Sequence, residues 1–206
     1  MDVQEFKKKP VMGIVRGVAL EHIEPLIEAA VTAGLQTIEI AMNTRDAEQL
    51  LRKAKKISGS RLMLGAGTVL SMDTLRQALD CGATFIVMPV LVKEPVAYCL
   101  KKKIPVFPGA LTPQEIYNAW NEGATMVKVF PAKCFGPEYF REIKGPFNEI
   151  ELLACAGVTP QNMRDYFACG ASAVAFGASV FRKEWLERQD FQSIATAIKA
   201  YLTQLP

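Results

Sequence analysis

Apolar and polar residues along this chain recur in two alternating rhythms. Residues 20–33, 46–56 and 192–202 carry apolar positions three and four apart, the spacing that gives an α-helix one buried face. Between such stretches lie short, nearly continuous apolar runs at 11–15, 62–65, 104–107 and 151–154, each leading into turn residues. They read as strands covered on both faces. Four more strands belong to a repeat, in segments 33–40, 81–88, 122–129 and 169–176. In each, a glycine closes a helical stretch and a β-prone run follows, because the residue after a helix often needs a left-handed backbone. These glycines, Gly34, Gly82, Gly123 and Gly170, fall 48, 41 and 47 residues apart, which leaves room for two βα units per interval.

Eight alternating strand and helix units predict an α/β protein, a (β/α)8 TIM barrel with a short N-terminal helix. A flavodoxin-like doubly wound sheet would stop near five or six strands. No linker or low-complexity stretch divides the chain, so residues 1–206 are expected to form one barrel domain.

The repeat also assigns faces. Counted from each glycine, the fourth and sixth residues are Ile38 and Ile40, Ile86 and Met88, Val127 and Val129, Val174 and Phe176. All are sizeable and apolar, as strand positions under helices should be. The third, fifth and seventh residues then point into the barrel. The fifth set is Glu39, Val87, Lys128 and Ala175, and a barrel layer is supplied by alternate strands, so these four should be neighbours.

A lysine and a glutamate in one interior layer are costly, since both lose solvation and pairing compensates only in part. One reading is a buried ion pair that fills the barrel. The other is chemistry, favoured by small inward neighbours, Ala41, Ala175 and Gly177, that leave a cavity where a structural core would take bulky residues. Burial favours the neutral amine of a lysine, which can attack a ketone to give a protonated imine. That imine is an electron sink, and Glu39 is the remaining acid–base group of the layer. Lys128 and Glu39 are therefore the candidate catalytic residues of an imine-forming aldolase.

Other candidates cluster at strand ends. After the seventh strand, Cys155-Ala156-Gly157-Val158-Thr159-Pro160 reads as a turn with Thr159 as N-cap and Pro160 in the first helical position, aiming free N–H groups at an anion. After the eighth, Gly177-Ala178-Ser179 offers more N–H groups and a hydroxyl, and these two loops are the usual barrel phosphate site. Plain tight turns are the alternative for each. Arg16, closing the first strand, can grip a carboxylate with two parallel hydrogen bonds or form a rim salt bridge. Gly65-Ala66-Gly67-Thr68 ends the third strand with a hydroxyl, without GxGxxG spacing. Phe130 follows the lysine and can pack on substrate or fill the core. His22 and the two tryptophans read as surface or packing residues.

Composition narrows the partners. Half the residues are hydrophobic, 22% are charged and the formal charge is +3 with basic residues scattered, so nothing calls for nucleic acid. No apolar run nears the roughly 18 residues of a membrane span. Arg16 interrupts the apolar run behind Lys7-Lys8-Lys9, which argues against a signal peptide. Five cysteines without a CxxC pair read as reduced thiols in a cytoplasmic protein. A single histidine, His22, leaves no zinc cluster, and no metal or cofactor is expected.

In this order and spacing, the Glu39 strand, Gly65-Ala66-Gly67-Thr68-Val69-Leu70, Phe107-Pro108-Gly109, Lys128-Val129-Phe130-Pro131, Lys144-Gly145-Pro146-Phe147 and Gly157-Val158-Thr159-Pro160 resemble the 2-keto-3-deoxy-6-phosphogluconate/4-hydroxy-2-oxoglutarate aldolase family nearly end to end. The resemblance implies a homotrimer of α/β barrels that cleaves a 2-keto-3-deoxy-6-phospho sugar acid to pyruvate and glyceraldehyde 3-phosphate. It implies Lys128 as imine lysine, Glu39 as acid–base residue, and Thr68 with an arginine on the pyruvate carboxylate. Asn43, Pro89, Phe130 and Cys155 complete the candidate substrate contacts. Gluconate-type members carry an arginine where this chain has Asn43, and the 6-phosphogalactonate branch resembles it there and at Arg16. Paired glycines are usual where this chain has Ala156-Gly157, and Cys155 matches neither usual residue. Rival readings are a lyase of 4-hydroxy-2-oxoglutarate, a sugar-phosphate isomerase or epimerase, and a non-catalytic binder of phospho-metabolites.

Overall fold

In the computed structural model, which describes residues 1–205, all strand pairs are parallel and each strand but one is followed by a helix. The strands are β1 (Val11–Val15), β2 (Thr37–Ala41), β3 (Met63–Gly67), β4 (Ile86–Val87), β5 (Val106–Phe107), β6 (Gly109–Ala110), β7 (Val127–Val129), β8 (Leu152–Cys155) and β9 (Ala173–Phe176). Their order is β5-β4-β3-β2-β1-β9-β8-β7-β6. The two ends of this order, β5 and β6, are halves of one strand broken at Pro108, which has no N–H to donate to a ladder. The Lys128 N–H donates to the Pro108 carbonyl at 2.9 Å, so pairing continues past the break and the ring closes as a TIM barrel. Nine pieces thus make the eight strands expected from the sequence.

The face assignment holds. One cluster of buried apolar residues, including Ile38, Ile40, Ile86, Met88, Val127, Val129, Val174 and Phe176, packs between strands and helices. A second fills the lumen with Met12, Phe85, Val87, Phe107, Met126, Leu153, Cys155, Ala173 and Ala175. The four repeat glycines sit at φ of +93°, +95°, +93° and +97°, the left-handed values their role requires. The short N-terminal helix α1 (Val3–Lys8) is capped by Asp2 and closes the barrel floor. Its Phe6 is fully buried and meets Phe107 edge to face at 6.1 Å, and Phe107 meets Phe85 at 5.8 Å. Burying one such ring is worth about 1.5–3 kcal/mol.

Helix starts differ from the pattern in two places. The stretch expected to begin at residue 20 opens with a 3-10 turn, Leu20–His22, before the helix Ile23–Thr32. The helix expected to start at Pro160 begins at Met163, and is Met163–Ala168. The intervening turn is closed reciprocally: the Thr159 N–H donates to Asn162 Oδ1 at 2.8 Å and the Asn162 N–H donates to Thr159 Oγ1 at 3.3 Å. Thr159 therefore closes that turn and does not cap the helix, whose N-cap is Asn162, and the Thr159 N–H is spent on Asn162 and is not free for an anion.

Candidate active site

Alternation along β2 and β7 turns Glu39 and Lys128 inward from opposite walls, and both side chains are long enough to meet. Lys128 Nζ lies 3.9 Å from Glu39 Oε1, with the residues only 5% and 1% exposed. At that distance the attraction is about 4 kcal/mol at an effective dielectric near 20. Desolvation costs several kcal/mol for each ion, so the pair does not stabilise the fold on balance. Burial holds the Glu39 carboxyl above its usual 4.5, with the Lys128 and Arg16 charges pulling the other way. Among the described residues, Glu39 Oε2 has no hydrogen-bond partner. The carboxylate has room only because Gly67 faces it: a Cβ there would sit 2.4 Å from Oε2.

Above this pair a cavity of about 420 Å³ opens at the C-terminal rim. Arg16, Pro89, Lys128, Phe130, Cys155, Ala156, Gly157, Gly177, Ala178 and Ser179 line it, so ten of the sequence candidates converge on one space. The Phe130 ring lies 5.5 Å from Lys128 Nζ, within cation–π range. Burial pushes the Cys155 thiol up, with the neighbouring Lys128 amine pulling it down. Thr68 stands just outside the lining, where its Oγ1 accepts a hydrogen bond from Arg16 Nη2 at 3.0 Å. It does so at φ +57°, a strained setting for a β-branched residue and one that holds the arginine over the rim.

Asn43 is exposed and does not line the cavity. The loop after β2 instead turns in its neighbour, Thr44, which is 7% exposed and accepts a hydrogen bond from the Gly17 N–H at 3.1 Å. Thr44 thereby ties the turn after Arg16 to the strand that carries Glu39. In the sequence its only signal is a hydroxyl in a polar loop, which any surface threonine would give.

The anion loops carry a second departure. Ala156 has φ +69° and Gly157 φ +96°, so an alanine occupies a left-handed position that glycine would fill without strain. The loop keeps its shape nonetheless, with the Ala156 carbonyl accepting from the Lys133 N–H at 2.9 Å. Among the described residues, the N–H groups of Gly157, Gly177, Ala178 and Ser179 find no backbone acceptor. Four unspent donors at one end of the cavity are what an anion needs. Also among the described residues, no three His, Cys, Asp or Glu side chains group as metal ligands, and no helix is long and apolar enough to cross a membrane.

A family model, KDPG and KHG aldolase, matches residues 3–197. The chain belongs to this family. It is therefore an aldolase, a lyase acting on a carbon–carbon bond. It is 29% identical over 195 residues to 2-dehydro-3-deoxy-6-phosphogalactonate aldolase of Escherichia coli K12, covering 94% of this chain and 95% of that one. To 2-dehydro-3-deoxy-phosphogluconate aldolase of Pseudomonas aeruginosa PAO1 it is 30% identical over 173 residues, covering 84% and 78%. A solved native KDPGal structure superposes with a TM-score of 0.88 at 27% identity, covering 95% and 93% of the two chains.

Proposed function

We propose that this aldolase cleaves a 2-keto-3-deoxy-6-phospho sugar acid to pyruvate and glyceraldehyde 3-phosphate through an imine on Lys128, with Glu39 moving the protons. The observation that carries the reading is the Lys128–Glu39 encounter at 3.9 Å beneath the cavity, with Oε2 unpartnered. Lys128 Nζ adds to the C2 ketone, and Glu39 supplies the proton with which the C2 oxygen leaves as water. The protonated imine then takes up the electron pair of the C3–C4 bond as the C4 hydroxyl loses its proton to Glu39. The aldehyde departs, the enamine is protonated at C3, and water releases pyruvate from the lysine.

Arg16, bonded to Thr68, clamps the carboxylate with a bidentate pair in this reading. The four unspent N–H groups at the other end suit the phosphate. Pro89, Phe130 and Cys155 wall the space between. Arg16 favours the galactonate-type epimer by resemblance to that branch, whereas Asn43 lies outside the cavity lining. The test is pyruvate release from the 6-phosphogalactonate-type acid, the 6-phosphogluconate-type acid and 4-hydroxy-2-oxoglutarate. The reading requires the best kcat/KM on a phosphorylated acid, and equal or better turnover of the unphosphorylated one contradicts it.

A homotrimer in the cytoplasm goes with this reading. Leu70, Val90 and Phe135, on rim loops following β3, β4 and β7, are 49–58% exposed and support self-association. All five cysteines are free, as a reducing compartment would leave them. Light scattering on the purified protein gives the subunit number.

A further inference from the structure

Tyr201 lies near the end of the C-terminal helix α10 (Phe191–Leu202), outside the cavity lining and 2% exposed. Its hydroxyl donates to the Val158 carbonyl at 2.8 Å, in the loop after β8. The same oxygen lies 3.2 Å from Ser179 Oγ, in the loop after β9. A carbonyl can only accept and a phenol has one proton, so the order is fixed: Ser179 donates to Tyr201, and Tyr201 donates to Val158. One side chain from a third element is thus bonded to both loops that carry the unspent N–H groups.

Packing alone does not ask for a tyrosine at this place. The ring already packs against Phe176 with centroids 4.6 Å apart and planes tilted by 35°, and a phenylalanine would fill the same space. What the hydroxyl adds is the pair of loop bonds, the one to Val158 buried from water and the one to Ser179 partly so. The chain of donors also commits the only Ser179 hydroxyl proton, so that loop offers an anion backbone N–H groups alone.

We propose that Tyr201 is a positioning residue for the anion end of the cavity, holding the loops after β8 and β9 in register so that their N–H groups converge on one phosphate. The inference rests on the phosphate-binding reading of the preceding subsection. A donor set fixed before binding needs no ordering when the anion arrives, so the latch acts on affinity rather than on bond cleavage.

The experiment compares wild type, Tyr201→Phe, Ser179→Ala and the double variant. KM and kcat are measured for the phosphorylated acid, together with competitive inhibition by inorganic phosphate and the rate of borohydride trapping with phosphate-free pyruvate. Tyr201→Phe is expected to raise KM and the phosphate inhibition constant about tenfold, the effect of losing both loop bonds, with kcat and pyruvate trapping within about twofold of wild type. The double variant should be no worse than the worse single one, since both changes break one chain of bonds. Equal losses with pyruvate and with the phosphorylated acid, an unchanged KM, or additive effects in the double variant would each overturn the latch. If inorganic phosphate fails to compete in wild type, the phosphate reading falls and takes the latch with it. Competition in wild type that Tyr201→Phe leaves unaltered defeats the latch alone.

Discussion

Gly67→Ala should disable Glu39, the proposed acid–base residue, without replacing it. The added Cβ would lie 2.4, 2.6 and 2.8 Å from Oε2, Cδ and Oε1 of Glu39, where ordinary contact begins at 3.4 Å. The carboxylate must therefore retreat by about an ångström. It is 1% exposed, so its slack lies toward the Lys128 amine and the cavity. A displacement of that size at a reacting group can cost about 10²-fold in rate. Overpacking a buried site costs about 1–3 kcal/mol, which for a chain of this size lowers Tm by about 2–12 °C. Gly65→Ala is the matched control: its Cβ would meet the Phe85 ring at 2.4 Å, overpacking the same strand away from the carboxylate. Steady-state pyruvate release and thermal melts on both variants separate the effects. Gly67→Ala should lose about 10²-fold in kcat while the folded protein still forms the Lys128 imine at long times, and Gly65→Ala should lose stability with kcat much nearer wild type. A folded Gly67→Ala variant with wild-type kcat, or a Gly65→Ala variant losing as much, would refute the claim that the Glu39 position governs turnover.

Further outcomes follow from the same geometry. Glu39→Gln should lower kcat by about 10²–10⁴-fold, the usual worth of a positioned acid–base group. Lys128 and Glu39 must hold one proton between them to start the cycle and a second one inactivates the amine, so, with burial raising the folded pKa of Glu39, the acid limb of kcat/KM should lie above 4.5 in wild type and vanish in Glu39→Gln. The folded state keeps a proton that the unfolded chain has released, so wild-type stability should fall as pH rises from 4.5 through the folded pKa. Melts between pH 4 and 8 should show that slope in wild type and its loss in Glu39→Gln. Arg16→Lys forfeits the two-pronged grip on a carboxylate and should raise half-saturation by pyruvate about tenfold in borohydride trapping, with the trapped end point unchanged.

The legible parts of this molecule were those written in local periodicity. The repeat glycines placed four strands, and counting from them put Glu39 and Lys128 on inward faces where they do meet. The convergence of Arg16, Cys155, Gly157 and Gly177 on one rim followed from barrel topology, which collects strand ends. What stayed hidden depends on loop geometry or on partners distant in sequence. Asn43 and Thr44 are both polar loop residues, and only the fold decides that Thr44 turns in to Gly17 while Asn43 faces solvent. The left-handed backbone of Ala156 contradicts the preference of alanine, so no propensity rule would assign it. Thr159 and Pro160 gave a fair helix-start signal, but Asn162 closed a turn first. Tyr201 is 43 residues from Val158, and in sequence it is one more apolar position of an amphipathic helix.

The central claim is that Lys128 is the nucleophile. Borohydride reduction in the presence of pyruvate, followed by peptide mapping, tests it most directly. One stable pyruvate-derived adduct per chain is expected, on Lys128, and none in Lys128→Ala. A label on another lysine, or a Lys128→Ala variant that still traps and turns over at the wild-type rate, would contradict it.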